Sequence, residues 1–253
     1  MGWKSCVRRV GVLVGLVTIC AGSVEAATDC SFSVSGTRMR LNANCTTDAT
    51  IYVPNNFTLD GAGHVITVVD PPGDHWRGAV IGNLGSRAHV RRLTISVANL
   101  QDVCDFGPGV FGADRLRGIV FYGASGSITN NRLIGFNQGP GSLCGEGTGI
   151  LVENGPFDGS HPNTQQVTIE GNEIDAVQQY GIAVQGDVDA RVMWNRIALS
   201  DQVGPINQYG ISFASGAFGE AQSNTIRGGY RDYAGFFPVG VLIFESAGVR
   251  VAA

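Results

Sequence analysis

Three carboxylates and two cysteines fall in two short stretches of this chain, Asp102-Val103-Cys104-Asp105 and Cys144-Gly145-Glu146. If Cys104 and Cys144 are bonded, with Cα atoms about 4.4–6.8 Å apart, then Asp102, Asp105 and Glu146 gather around the bridge. Such a group offers the hard oxygen ligands that Ca²⁺ takes, so these three are the candidate metal ligands. Crowded carboxylates also raise one another's pKa, which is what general acid and base work needs. Arg117 and Glu153 border the same place, and His161, in DGSHPN, is a further proton-moving candidate. The expected catalytic set is therefore Asp105, Glu146, Glu153, Arg117 and His161. Tyr122, Tyr180, Gln185 and Tyr209 are the expected substrate-binding residues, since a tyrosine presents a flat face and a hydroxyl together.

These residues are positioned by a repeat. The stretch QQYGIAVQGDVDARVMWNRI, residues 178–197, has a Gly that opens a short apolar strand, a polar turn, and a second apolar strand closing on Asn195 and Ile197. RGIVF…SITNNRL, TGILV…VTIEGNEI, YGISF…AQSNTI and VGVLIF match it. Their opening glycines, Gly118, Gly149, Gly181, Gly210 and Gly240, are spaced by 31, 32, 29 and 30 residues. A period in that range, strand-like and without helical pattern, predicts a solenoid of stacked coils. Asn131, Asn172, Asn195 and Asn224 fall at one place in the repeat, between two inward apolar residues, and Leu93 replaces them one coil earlier. Stacked about 4.8 Å apart, their amides are expected to bond one another in a ladder, each Asn supplying the left-handed residue of a sharp turn.

Strand alternation sends Ile119 and Phe121, Ile150 and Val152, Ile182 and Val184, and Ile211 and Phe213 inward. The outward column then runs through Val120 and Tyr122, Leu151 and Glu153, Ala183 and Gln185, Ser212 and Ala214, and Leu242 and Phe244. Most long insertions come just before the Gly-opened strand, so they form a wall along one edge of this first sheet. The column is either the floor of a groove or is buried beneath that wall. Arg91 and Arg92 are expected to face solvent on the second sheet.

Residues 1–26 read as a secretory signal peptide: Lys4, Arg8 and Arg9, an apolar run from Val10 to Ala21, and cleavage after Ala26. The run is shorter than the roughly 20 residues a membrane-spanning helix needs, so the mature chain is expected to have no membrane span and to be secreted or periplasmic. Four cysteines then remain, which in a secreted chain reads as two disulfides with three connectivities open in principle. A Cys30–Cys45 bridge would pin residues 27–50 as a cap over a β-helix at 51–253, and Cys104 with Cys144 would form the second. The net charge of −4 supplies no basic field for nucleic acid. No P-loop, dinucleotide fingerprint, zinc spacing or Gly-x-Ser-x-Gly elbow occurs.

TLDGAGHVI, at residues 58–66, resembles the entrance coil of right-handed parallel β-helix proteins of the pectin-lyase-like superfamily, and the Gly-Ile strands and Asn positions resemble that family's repeats. The resemblance covers roughly residues 50–250. It implies an all-β, single-domain, right-handed parallel β-helix of about seven coils, and a polysaccharide or glycan as partner. The Asp patterns of polygalacturonases and the vWiDH and RxPxxR runs of pectate lyases are absent. Two readings follow. One is a lyase or epimerase acting on an acidic polysaccharide through the first sheet, where a cation neutralises the sugar carboxylate and a base takes the α-proton. The other is a non-catalytic module that binds glycan or protein. The last coil, at Val249 to Ala253, is expected to present an edge that a partner or a second copy covers.

Overall fold

A computed structural model describes residues 28–97, 99–101, 116–137, 147–201, 206–229 and 237–252. The chain enters through β1 (Phe32–Ser35) and β2 (Arg38–Leu41), followed by β3 (Cys45–Thr47), β4 (Ile51–Val53), β5 (Phe57–Asp60) and β6 (Val65–Val68). Next come β7 (Ala79–Asn83), β8 (Arg87–Arg91), β9 (Thr94–Val97), β10 (Arg117–Tyr122), β11 (Ser125–Thr129) and β12 (Arg132–Ile134). Then follow β13 (Thr148–Asn154), β14 (Gln165–Glu170), β15 (Glu173–Val177), β16 (Tyr180–Gly186), β17 (Val188–Met193) and β18 (Arg196–Leu199). The last are β19 (Gln208–Ala214), β20 (Phe218–Gln222), β21 (Thr225–Gly228), β22 (Pro238–Phe244) and β23 (Val249–Ala252). No helix occurs among the described residues.

Each strand pairs with the one three places along the chain. This produces a seven-stranded sheet ordered β4-β7-β10-β13-β16-β19-β22, a second of seven ordered β3-β6-β9-β12-β15-β18-β21, and one of nine ordered β1-β2-β5-β8-β11-β14-β17-β20-β23. The first of these carries the Gly-opened strands, and we call them sheets I, III and II respectively. All pairings are parallel except the β1–β2 hairpin. The architecture is all-β, with three parallel sheets of stacked strands, and is compatible with a β-helix. It has three strands per repeat where the sequence suggests two. The third, such as Arg196–Leu199, follows the Asn turn directly and buries only Ile197 and Leu199.

The glycine spacing has a steric cause. A Cβ on Gly118 would lie 2.4 Å from the Gly149 carbonyl oxygen, one on Gly149 2.7 Å from that of Gly181, and one on Gly181 2.5 Å from that of Gly210. The same Cβ atoms would strike Leu133, Ile174 and Ile197 on sheet III. Only a residue without a side chain lets successive strands stack this tightly against the third sheet. Inside, Ile119, Phe121, Ile150, Val152, Ile182, Val184, Ile211 and Phe213 are buried in one core, as alternation requires.

The asparagines form the expected ladder. Asn131 Nδ2 donates to Asn172 Oδ1 (3.0 Å), Asn172 Nδ2 to Asn195 Oδ1 (2.9 Å), and Asn195 Nδ2 to Asn224 Oδ1 (3.0 Å). Each Oδ1 also accepts the backbone N–H of the neighbouring tier, including that of Leu93. The left-handed residue is not the Asn but the one before it: Arg92, Asn130, Gly171, Trp194 and Ser223 have φ between 52° and 65°. The Asn carbonyl and amide are needed for bonding, and the preceding residue makes the bend.

At the first tiers, Cys30 and Cys45 form the expected disulfide. Arg91 and Arg92 do not simply face water: with Arg38 they converge on Asp60, whose side chain is wholly buried. Burial opposes ionisation of Asp60, but Arg92, the Ala62 N–H and Arg38 outweigh it and hold its pKa well below the usual carboxylate range.

Candidate functional site

The outward face of sheet I is closed over its middle. Val120, Leu151 and Ala183 stack as a second, separate apolar cluster, and Ser212 and Gln185 are also buried. Of the two expectations for this column, burial holds over its middle, and Gln185, expected to bind substrate, is buried there. Tyr180 and Tyr209 are half-buried and stack on each other, with ring centroids 5.0 Å apart and planes 20° apart. They occupy register-paired positions on neighbouring strands, where flat rings pack well.

The face opens at its N-terminal end. A recess of about 280 Å³ lies between β4, β7 and β10, floored by Ala79, Gly82 and Val120 and walled by Tyr52, Arg77, Arg117 and Tyr122. Tyr52 is 52% exposed and Tyr122 46%. Tyr52 is the outward residue of Ile51-Tyr52-Val53, a three-residue strand. The sequence signal for it was alternation alone, too short to recognise without the tier that follows. A Cβ on Gly82 would lie 3.1 Å from the Tyr52 ring, so the ring lies against bare backbone there.

Arg117 and Tyr122 stand five residues apart at the two ends of β10, and their side chains reach toward each other along the strand, above Val120. The guanidinium donates a hydrogen bond to the phenol oxygen. Asn83 holds the Tyr122 backbone from both sides: Tyr122 N–H donates to Asn83 Oδ1 (2.8 Å) and Asn83 Nδ2 donates to Tyr122 O (3.0 Å). One strand along, Glu153 is the register partner of Tyr122. Burial pushes the Glu153 carboxyl above its ordinary range, and Arg117 offsets part of that rise. Burial likewise pushes the Tyr122 phenol up, opposed by Arg117 and reinforced by Glu153. Arg117, Tyr122 and Glu153 thus form one electrostatically coupled group, which the fold brings together beside the recess, apart from the stacked pair Tyr180 and Tyr209.

His161 stands elsewhere, on the segment between β13 and β14. Its Nδ1 lies 3.1 Å from Asp187 Oδ1, and its ring meets Phe218 edge-on at 4.6 Å. Asp187 is fully buried and also accepts from the Asn163 N–H (2.7 Å) and Thr164 Oγ1 (2.6 Å). Burial works against its charge, but these donors prevail and its pKa is lowered. The arrangement fastens residues 155–164 to the next tiers. Asp187 was not visible as the partner because 26 residues separate it from His161.

Asp102, Cys104, Asp105, Cys144 and Glu146 lie outside the described residues, and with them the Ca²⁺ reading and the second disulfide. Among the described residues one group of three potential metal ligands is close together, Asp29, Cys30 and Cys45. Its two sulfurs are bonded to each other and do not supply thiolates. No described helix is long and apolar enough to cross a membrane. Compared with known protein families, curated proteins and solved structures, the chain matches none.

Proposed function

We propose that this chain is a secreted, carbohydrate-directed parallel β-helix that binds an acidic polysaccharide in the recess of sheet I and performs elimination or epimerisation there. The observation that carries this reading is the Arg117–Tyr122–Glu153 group beside an aromatic recess. Tyr52 and Tyr122 give a sugar ring apolar faces with hydroxyl edges. Arg77 and Arg117 supply planar cations suited to a carboxylate. Export is supported by the Cys30–Cys45 bridge, a bond typical of oxidising compartments.

In the elimination, the sugar carboxylate is neutralised by the arginines, so the proton on the adjacent carbon becomes acidic. Glu153, its basicity raised by burial, takes that proton as the C–H bond breaks. The electron pair forms a double bond to the next ring carbon, whose C–O bond to the neighbouring sugar breaks. Arg117 donates to the Tyr122 oxygen, which leaves the phenol hydrogen to protonate the departing oxygen. Returning the proton to the opposite face of the carbanion would give epimerisation instead. Ca²⁺ held by Asp102, Asp105 and Glu146 would add positive charge for the carboxylate.

The closed middle of sheet I favours a second reading, a binding module without turnover, because only a short length of chain fits the recess. Incubation with uronic-acid polymers, with Ca²⁺ or chelator, separates the two by absorbance of the unsaturated product and by retention on an affinity gel. Turnover lost in Glu153→Gln with retention unchanged supports the enzyme. Retention without turnover supports the module, and absence of both on every polymer overturns the carbohydrate reading.

A further inference from the structure

Sheet II carries a second recess, larger than the first at about 500 Å³, on the outward faces of β8, β11, β14 and β17. One register column across it reads His89, Ser127, Thr168, Arg191. The small Ser127 and Thr168 lie in the middle, and longer side chains rise at both ends: Arg87 with His89 on β8, and Asp189 with Arg191 on β17. The shape is a trough running along the stack. Three strand steps at about 4.8 Å make it roughly 14 Å long, the span of about three hexose rings.

The chemistry of the trough is hydrogen bonding throughout its outward side chains. Ser127 Oγ lies 2.9 Å from His89 Nδ1, which fixes the imidazole in place. Arg191 bonds Glu220 through Nε at 2.9 Å, and Asp189 brings an acceptor beside it. Hydroxyl groups, which both donate and accept, match such a mixed end. The β8 end is positive: burial, then Arg87 and Arg91, lower the His89 pKa, and the field of the arginines attracts an anion. Lys4 is the only lysine of the chain, so every cation here is an arginine fork suited to a carboxylate.

Other ligand classes fit poorly. A peptide would seek an open strand edge or apolar pockets, whereas these four strands are paired on both sides. A nucleic acid would need stacking platforms and a basic field, but no Phe, Tyr or Trp lines the trough and the chain carries a net charge of −4.

We propose that this trough is a second glycan site, which holds a short acidic oligosaccharide along the stack with its carboxylate at Arg87 and its hydroxyls at Asp189 and Arg191. Its ligand class agrees with the carbohydrate reading of sheet I, but its residues and its test are separate. The probes are trigalacturonate and neutral maltotriose, titrated calorimetrically. In a Tyr52→Ala/Tyr122→Ala background, which strips the recess of sheet I, trigalacturonate should still bind at one site. Adding Thr168→Trp should fill the trough and abolish that binding, with circular dichroism confirming the fold. Adding the exposed Arg87→Gln instead should weaken trigalacturonate at least tenfold and leave any maltotriose binding unchanged. Loss of binding in the Tyr52/Tyr122 background overturns this site while sparing sheet I. Binding that ignores both Thr168→Trp and Arg87→Gln overturns it too, as does failure of the wild type to bind trigalacturonate.

Discussion

Replacing Asn172 by Ala tests whether the amide ladder holds the stack together. Asn172 is 1% exposed. Its Oδ1 accepts from the Asn131 N–H and from Asn131 Nδ2, and its Nδ2 donates to Ile128 O (2.8 Å) and Asn195 Oδ1. Alanine removes all four bonds. Asn131 Nδ2 keeps Val90 O and Asn195 Oδ1 keeps the residue 172 N–H, so both stay satisfied. The Asn131 N–H and the side of the Ile128 carbonyl that met the amide are left bare where water does not reach. At about 1–3 kcal/mol for each of the two orphaned buried groups, the loss comes to roughly 2–6 kcal/mol, a large share of the 5–15 kcal/mol typical of a domain. Urea unfolding followed by circular dichroism should show the midpoint falling by about 1 M or more. Asn224→Ala is the control. It breaks equivalent bonds to the Asn195 N–H and Val192 O, but at a half-buried position where water can substitute, so it should cost about 1 kcal/mol. If Asn172→Ala costs no more than Asn224→Ala, the ladder is not what fixes the tiers.

Two further outcomes follow from single side chains. Because the Asp60 pKa is depressed in the folded protein, its stabilisation is complete above the unfolded value near 3.8 and fades as pH falls below it. Asp60→Asn should therefore cost about 2 kcal/mol at pH 7, less than a fully buried pair because the arginines stand half in water, and the gap to wild type should narrow below pH 4. A pH-independent gap in denaturation would contradict the assigned charge. Gly181→Ala forces a Cβ to 2.5 Å from the Gly210 carbonyl and 2.6 Å from Ile197, which should cost about 3 kcal/mol or more. Gly159→Ala, at φ +77° with open space around it, should cost only the left-handed penalty of about 1–2 kcal/mol. Equal melting temperatures for the two variants would contradict close stacking.

The stack was legible in the sequence because its constraints repeat. One collision recurs at Gly118, Gly149 and Gly181, and one amide ladder recurs at Asn131, Asn172 and Asn195, so the same residue type returns at the same place in each tier although loop lengths vary. The third strand was not legible because it follows the Asn turn without a break and contributes two apolar residues, the same number that would end a strand. The left-handed position was misassigned for a related reason: a bend that Arg92, Asn130, Gly171, Trp194 and Ser223 all serve has no residue signature. Of the site, the adjacency of Tyr122 and Glu153 was legible, since both lie in one outward column. The burial of Gln185, the reach of Arg117 to Tyr122 and the pairing of His161 with Asp187 were not, because each depends on side-chain packing that register alone does not fix.

The contrast between columns also indicates where binding belongs on this scaffold. Inward columns repeat Ile and Val, the turn column repeats Asn and the strand-opening column repeats Gly, because stacking leaves those positions little freedom. The column through Tyr122, Glu153, Gln185, Ala214 and Phe244 varies from tier to tier, and so does the column through His89, Ser127, Thr168, Arg191 and Glu220, apart from its two neighbouring hydroxyls. The stack fixes the spacing of both columns at about 4.8 Å without dictating their content. A chain ligand whose units differ along its length, charged at one ring and neutral at the next, can be matched tier by tier on such a surface. By this reasoning a ligand should bind with its long axis along the stack, crossing strands. Exchanging Tyr122 and Glu153 between their tiers should then impair binding even though the composition of the column is unchanged.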